Sequence, residues 1–382
     1  MTSQPSSDHL DPQVEQPQAQ GESQDMVTIR VRKKRRTKRR HEDAPKRRGL
    51  KVALIALGVV LAALLVSGLA VAGLVNAGKI NLHPLFQGIE APEEVESEDD
   101  GSVIEHKGHR YAYNENVVSA LIIGYDDESG YTSRPDYSCA DANLLLTMDT
   151  KTNRVKLCVI PRNSIVDLDV FKEDGSLKAT RRAQLCLAYA QFPNTDKRAA
   201  ENTLKSVSTL MYGMPLNHYF AFDEKGLVEA TGMLGGVRVE ALETIPGTPI
   251  RKGQEVLLQG ENAWRYVSYR DIDVDESALD RQRRQIQFAQ AFLTAARSGG
   301  AKGIMGMYDA VKSRAVTNLG ASEIGYLVSC FASGKKVELE TCTIKGRTKL
   351  ATGSDGVELE RYYLNDNSVL ETVLDLFYTR ID

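Results

Sequence analysis

The chain of 382 residues carries 48 Lys/Arg against 51 Asp/Glu, a net charge of −3, so it has room for one large or two ordinary domains and a sizeable core. Five cysteines without a CxxC pair argue against a zinc site, and the odd count leaves at least one thiol free unless it pairs between chains. The near-neutral total hides an asymmetry. The first 51 residues hold 13 Lys/Arg and 7 Asp/Glu, which leaves 35 against 44, or −9, for the rest.

Residues 1–25 are rich in Gln, Ser, Asp and Pro and lack the apolar surface to fold, so they read as disordered. From Arg30 the composition turns strongly basic, and Val52 to Gly78 then contains no charge. As a helix that apolar run rises roughly 40 Å, more than the roughly 30 Å hydrocarbon layer, and so predicts a single transmembrane helix over 52–78. A cleaved signal peptide would have a shorter apolar core. The basic block on its N-terminal side places the tail 1–51 inside and the remainder outside. The arginine run is then a topology signal that can also hold anionic membrane lipid, and nucleic acid is not an expected partner. Residues 79–115, with EAPEEVESEDD, predict an extended acidic extracytoplasmic linker.

From Asn116 buried strands alternate with helices. VVSALIIGY, NLLLTMDT and RVKLCVIPR read as strands, the last two joined by a turn at Asp149–Asn153. KRAAENTLKSVSTLMYG has helical spacing and ends on Gly213, a helix-stop residue; HYFAFD and VRVEAL predict strands around a short helix, GLVEATGML. This mixture predicts an α/β fold, an α-β-α sandwich with a central mixed β-sheet, over residues 116–300. Residues 301–382 alternate helix-like and strand-like segments and predict a completing layer or small appended unit without chemistry of its own.

Three places carry candidate chemistry. The loop Tyr125–Asp141 holds Asp126, Asp127, Asp136 and Asp141 between two apolar strands; such carboxylates suit a hard cation, although loops are also Asp-rich for turn reasons. Arg162 leaves a buried strand within Pro161-Arg162-Asn163. In YVSYRDIDVDESALDRQRRQ, alternation over Tyr266–Tyr269 predicts a strand delivering Arg270, and Arg281, Arg284 and Gln285 open a helix. Guanidinium forks at these places could grip phosphate oxygens, or could be a solvated, salt-bridged helix start. There is no GxSxG nucleophile and no metal-spaced histidine pair.

In order and spacing, IIGYD, DANLLLTMDTKTNRVKLCVIPRNS, MYGMPLNHYFAFDEKGLVEATGMLGGVRV and LQGENAWRYVSYR…DRQRRQ resemble the LytR-CpsA-Psr family of bacterial envelope proteins. The resemblance implies a single-pass protein of the cytoplasmic membrane that moves a glycopolymer, such as teichoic acid or capsule, from a polyprenyl pyrophosphate carrier to peptidoglycan. It implies Mg2+ or Mn2+ at Asp126 and Asp141, and a pyrophosphate clamp of Arg162, Arg270, Arg281, Arg284 and Gln285. Preplaced cations would stabilise the charge developing on the leaving group. The chain departs from the family pattern at Cys139, Asn163, Gln184-Leu185-Cys186, Ser268 and Ala278, with Asp280 close to the last. Cys139 and Cys186 both replace family residues, which suggests a disulfide between them, with Cys330–Cys342 a competing pair. The alternative functions are a non-catalytic protein that binds lipid-linked glycan and a hydrolase of the carrier pyrophosphate.

Overall fold

The structure is a computed structural model that describes residues 72–83, 85–92, 95–98, 100–126, 136–271, 277–331, 338–352 and 358–382. These belong to the compact unit Ala62–Asp382. The basic tail, Asp127 and residues 52–71 of the expected spanning helix lie outside the described residues. Among the described residues no helix is long and apolar enough to cross a membrane.

Six strands form a central mixed sheet in the order β12 (Val316–Thr317), β9 (Tyr219–Phe222), β4 (Val117–Tyr125), β5 (Ala140–Asp149), β6 (Arg154–Val159) and β13 (Glu338–Thr343). β4, β5 and β6 run antiparallel in turn, whereas β9 is parallel to β4 and β13 parallel to β6. The central strands are apolar on both faces because both faces are covered. On one, Leu121, Ile123, Leu145 and Cys158 pack with α2 (Cys186–Tyr189), α3 (Lys197–Leu210) and α9 (Asp366–Phe377). On the other, Val118 and Ala120 pack with α8 (Ala321–Phe331), and Leu144, Leu157 and Val159 with α6 (Ser277–Ser298). The expected α-β-α sandwich is therefore present.

Local signals explain the helix ends. The Asp196 carboxylate accepts from the Arg198 backbone N–H at 2.9 Å and caps α3. Gly213, at φ 79°, closes the same helix by donating its N–H to the Ser208 carbonyl at 2.8 Å. Three further helices, α4 (Glu224–Met233), α5 (Glu261–Ser268) and α7 (Gly300–Val311), stand with α6 and α8.

Three antiparallel ribbons flank the sandwich: β7 (Ile165–Phe171) with β8 (Leu177–Gln184), β10 (Val237–Glu240) with β11 (Glu255–Leu258), and β14 (Gly346–Thr352) with β15 (Glu358–Leu364).

Two segments differ from expectation. Tyr266–Tyr269 does not form a strand: Tyr266 to Ser268 complete α5, and only Tyr269 and Arg270 leave it. Four alternating residues fit either period, and here Ala263, Tyr266 and Val267 recur at helical spacing, with Arg265 and Glu261 paired at 2.6 Å one turn apart. The 79–115 segment is also not one extended linker. A helix over residues 72–82, α1, buries Leu82 against Val118 and Tyr326. Its Asn81 donates to Glu323 of α8 at 2.7 Å and accepts from His218 Nε2 through its carbonyl at 3.1 Å. After it, β1 (Glu96–Ser97), β2 (Val103–His106) and β3 (His109–Tyr113) form a small sheet with the C-terminal β16 (Tyr378–Arg380). Glu96, Glu98, Asp100 and Glu105 are exposed, while Ile104 is fully buried.

Candidate functional site

The sheet register sets the site's first residue. Gly124 pairs with Ala142 and Tyr125 with Ala140, so Asp141 is the extra residue of a β-bulge. Bulges re-aim a side chain, and this one sends the carboxylate toward α6. There it forms ion pairs with Arg162, from the loop after β6, and with Arg281 at 3.5 Å. The side chains are only 13% (Arg162), 8% (Arg281) and 23% (Asp141) exposed, so the charges are held in place with little screening. Asp126 follows the end of β4, beside the bulge across the β4–β5 ladder.

Two thiols lie behind Arg162. Burial works against the Arg162 charge, but Cys186 and Asp141 more than offset it and raise its pKa. The Cys186 thiol is pulled down, first by a hydrogen bond from Cys139 and then by the Arg162 charge, while the Cys139 thiol is pushed up. Both cysteines are free thiols in contact with one another. Cys342, by contrast, faces Cys158 across β13 and β6.

The other arginines divide into two roles. Arg270 donates to Glu360 of β15 at 2.7 Å and to Ser277 Oγ at 3.1 Å. Arg284 is 1% exposed, donates to the Tyr266 carbonyl at 2.8 Å and to the Tyr269 carbonyl, and forms an ion pair with Glu243. Burial lowers its pKa to about 10. Its hydrogen bonds pin the end of α5, and it lines neither of the two cavities that Asp141 and Arg281 share. Gln285 donates to the Val267 carbonyl at 3.3 Å. Asp280 pairs with Arg283 at 2.8 Å, so it does not replace the carboxylate missing at Ala278.

Two cavities meet here. A small polar notch is lined by Asp141, Arg162, Arg281, Gln282, Gln285, Thr348, Glu360 and Tyr362. An apolar cavity of about 320 Å³ runs from Asp141, Arg281 and Gln285 past Ile122, Leu144, Phe222, Trp264 and Phe288 to α7 and α8. Asp141, Arg281 and Gln285 line both, so a charged headgroup and an apolar tail could be held at one junction. Ser268 also lines the apolar cavity.

Sequence reasoning missed Gln282, Thr348 and Glu360. Gln282 lies one residue after Arg281, and its buried Nε2 has no hydrogen-bond partner among the described residues. Thr348 and Glu360 come from the ribbon β14–β15, in the segment expected to carry no chemistry. Nothing near them in sequence links that ribbon to Arg270. It is tied to the Arg162 loop through Tyr362 N–H donating to the Asn163 carbonyl at 2.9 Å, and to Gln184, whose Nε2 donates to the Glu360 carbonyl at 2.8 Å.

The LytR_cpsA_psr family model matches residues 87–373. The chain is 25% identical over 178 residues to the polyisoprenyl-teichoic acid–peptidoglycan teichoic acid transferase TagU of Enterococcus faecalis, covering 46% of this chain and 53% of that one. It thus spans little more than half the length of the curated relatives it matches. The crystal structure of Bacillus subtilis TagV superposes with a TM-score of 0.53 at 20% identity, covering 68% of this chain and 95% of that one. TagT bound to LIIa-WTA does so with a TM-score of 0.51 at 19% identity, covering 69% and 90%.

Proposed function

The chain belongs to the LytR_cpsA_psr family, and from that premise we propose that it is a membrane-anchored extracytoplasmic phosphotransferase. It moves a glycopolymer from a polyprenyl pyrophosphate carrier to peptidoglycan. The observation that carries this reading is the junction: Asp141, Arg281 and Gln285 border a polar notch and an apolar cavity at once. A lipid pyrophosphate has the same two parts. The transferase name of TagU and the wall polymer bound to TagT support it.

In this reading the prenyl tail fills the apolar cavity, and Arg162 and Arg281 hold the pyrophosphate, with Arg270 beside them. An acceptor hydroxyl attacks the phosphorus that bears the glycan. A new P–O ester bond forms, the phosphoanhydride P–O bond breaks, and lipid monophosphate leaves with the electron pair. Asp126 takes the hydroxyl proton. The arginines stabilise charge that grows on the bridging oxygen, and their fixed ion pairs keep them preorganised.

Asp126 and Asp141 fit a hard divalent cation such as Mg2+ or Mn2+, since carboxylates beside one bulge offer oxygen donors and leave places for phosphate oxygens. Among the described residues no group of three His, Cys, Asp or Glu could hold a metal alone. Such an ion, when bound, would polarise the phosphoryl oxygens.

Turnover of a lipid-linked sugar, with and without a peptidoglycan oligosaccharide, tests the proposal. Transfer should need the acceptor and a divalent ion, and should fall by about a hundredfold or more in Asp141→Asn and Arg162→Ala. Release without acceptor would identify a hydrolase instead. Carrier binding without any turnover would identify a non-catalytic glycan-binding protein, a reading favoured by Ser268 standing where the family carries an arginine.

A further inference from the structure

The apolar cavity has a direction set by the sheet register. Gly124 pairs with Ala142, Ile122 with Leu144 and Ala120 with Leu146, and all six line it on one face of β4 and β5. Gly124 and Ala142 stand at the Asp141 bulge, where the polar notch begins. The next pair on that face, Val118 and Met148, packs with Leu82 of α1 and Tyr326 of α8. From Gly124 to Val118 is six residues along the strand, or roughly 20 Å. The cavity thus runs from the notch toward α1, and Ile324 and Leu327 of α8 line its far end. Beside α8 it is walled by Ile304 and Met307 of α7, a helix whose own stability is lowered by the interior glycines Gly303 and Gly306.

Residues 72–78 of α1 are also the end of the charge-free run Val52–Gly78, and they pack on α8 with no spacer between. A Cβ on Gly78 would stand 1.9 Å from the Ser322 carbonyl oxygen, and one on Gly325 would stand 3.6 Å from the Leu74 side chain. On the outside of this end Leu74, Ile80 and Leu85 are 47%, 67% and 83% exposed, and Lys79 and Lys151 border it. Apolar side chains edged by lysines suit the boundary between hydrocarbon and anionic headgroups. We propose that α1 and the outer side of α8 lie on the lipid bilayer, and that the apolar cavity opens to the membrane at its α7–α8 end. A prenyl tail then passes from hydrocarbon into the cavity without crossing water, while its headgroup stands roughly 20 Å above the surface at the notch. This rests on the membrane-anchored transferase reading and adds the face of the domain that meets the lipid. The bilayer is favoured as occupant over a protein partner by continuity, because α1 carries the apolar run directly onto α8.

The test reconstitutes the full chain in phosphatidylcholine–phosphatidylglycerol vesicles whose acyl chains carry bromine, a contact quencher of tryptophan. The chain has one tryptophan, Trp264, so Ile80→Trp, Ser329→Trp and Leu350→Trp are each made on a Trp264→Phe background. Ser329 is exposed on α8 one turn after Gly325, and Leu350 is 64% exposed on the ribbon β14–β15 at the notch end. Bromine should remove most of the emission of Ile80→Trp and Ser329→Trp and leave that of Leu350→Trp unchanged. Vesicle flotation shows that the chain is anchored; an anchored chain in which Ser329→Trp is unquenched, or is quenched no more than Leu350→Trp, overturns the inference. In a second arm Gly78→Leu drives α1 off α8, which hydrogen exchange over residues 72–82 reads directly. It should raise KM about tenfold for a long-chain carrier embedded in vesicles and leave KM for a water-soluble short-chain carrier unchanged. An unchanged KM for the embedded carrier, with α1 detached, would also overturn the inference. Turnover of the short-chain carrier reports separately on the transferase reading. Quenching in the expected order upholds the membrane face even if neither carrier is turned over.

Discussion

Arg284→Met separates a structural arginine from a clamp residue. In the folded chain Arg284 gives charge-assisted hydrogen bonds to the Tyr266 and Tyr269 carbonyls, which α5 leaves unpaired at its end, and pairs with Glu243. Methionine keeps the stem's volume but orphans both carbonyls, each worth about 1.5–3 kcal/mol when bonded to a charged donor. The Glu243 oxygen that faces Arg284 is itself buried, so losing the pair adds to the cost. The net loss is about 3–5 kcal/mol, or a thermal midpoint lower by about 4–8 °C in a unit of this size. Arg283→Met is the control, since its i,i+3 pair with Asp280 lies on the surface and contributes only about 0–1 kcal/mol. Differential scanning calorimetry reads both. If Arg284→Met were as stable as Arg283→Met yet lost carrier binding, Arg284 would be a direct ligand and its assignment as a pin of α5 would be wrong.

Ala289→Trp, which fills part of the apolar cavity, should raise KM about tenfold for a long-chain polyprenyl carrier and leave a short-chain analogue unaffected; an equal change for both would detach the cavity from the lipid tail. Diamide oxidation of the folded chain should yield Cys139–Cys186 and Cys158–Cys342 peptides in non-reducing mapping, because those thiols already touch, and a Cys330–Cys342 peptide would contradict the pairing. Glu323 resists its own burial through hydrogen bonds from Asn81, Ser322 and Gly320, which lower its pKa below the ordinary 4.5. Its contribution is therefore complete above 4.5 and is lost as pH falls through the depressed value, so α1 should loosen on acidification. Hydrogen exchange over residues 72–82 should rise there in the wild type and show no such acid step in Glu323→Gln; an identical step in both would place the titration elsewhere.

The central sheet and its helices were legible because their signals are local. β4, β5 and β6 are short apolar runs bounded by turn residues, and α3 carries both its cap and its stop within its own sequence. Arg162 and Arg281 stood out by type and position, the family resemblance picked Asp141 from four loop carboxylates, and the structure joins the three through that carboxylate. What could not be read depends on contacts distant in sequence. Arg270 and Glu360 are ninety residues apart and meet only because the ribbon docks on the Arg162 loop. Arg284 looks like any other arginine of its run, and its burial against α5 is decided by how α5 and α6 pack. The acidic composition of residues 93–100 masked the few apolar positions, such as Ile104, that anchor the following strands.

The charge count around the junction bears on why carboxylates belong in an anion site at all. Arg162, Arg270 and Arg281 supply three positive charges and Asp141 and Glu360 two negative ones, and with Asp126 in its proposed role the count is three against three. A pyrophosphate diester brings two more negative charges into a poorly screened place. Coulomb repulsion from Asp141 and Asp126 would then offset much of what the arginines give. We infer that the aspartates are tolerable only if carrier binding is coupled to uptake of one divalent cation, which returns the sum to zero and uses the two carboxylates that otherwise repel the ligand. On that logic Asp126→Asn should weaken carrier binding when the metal is present and strengthen it when EDTA is present. A change of the same sign in both conditions would mean that the carboxylate acts on the substrate without a metal.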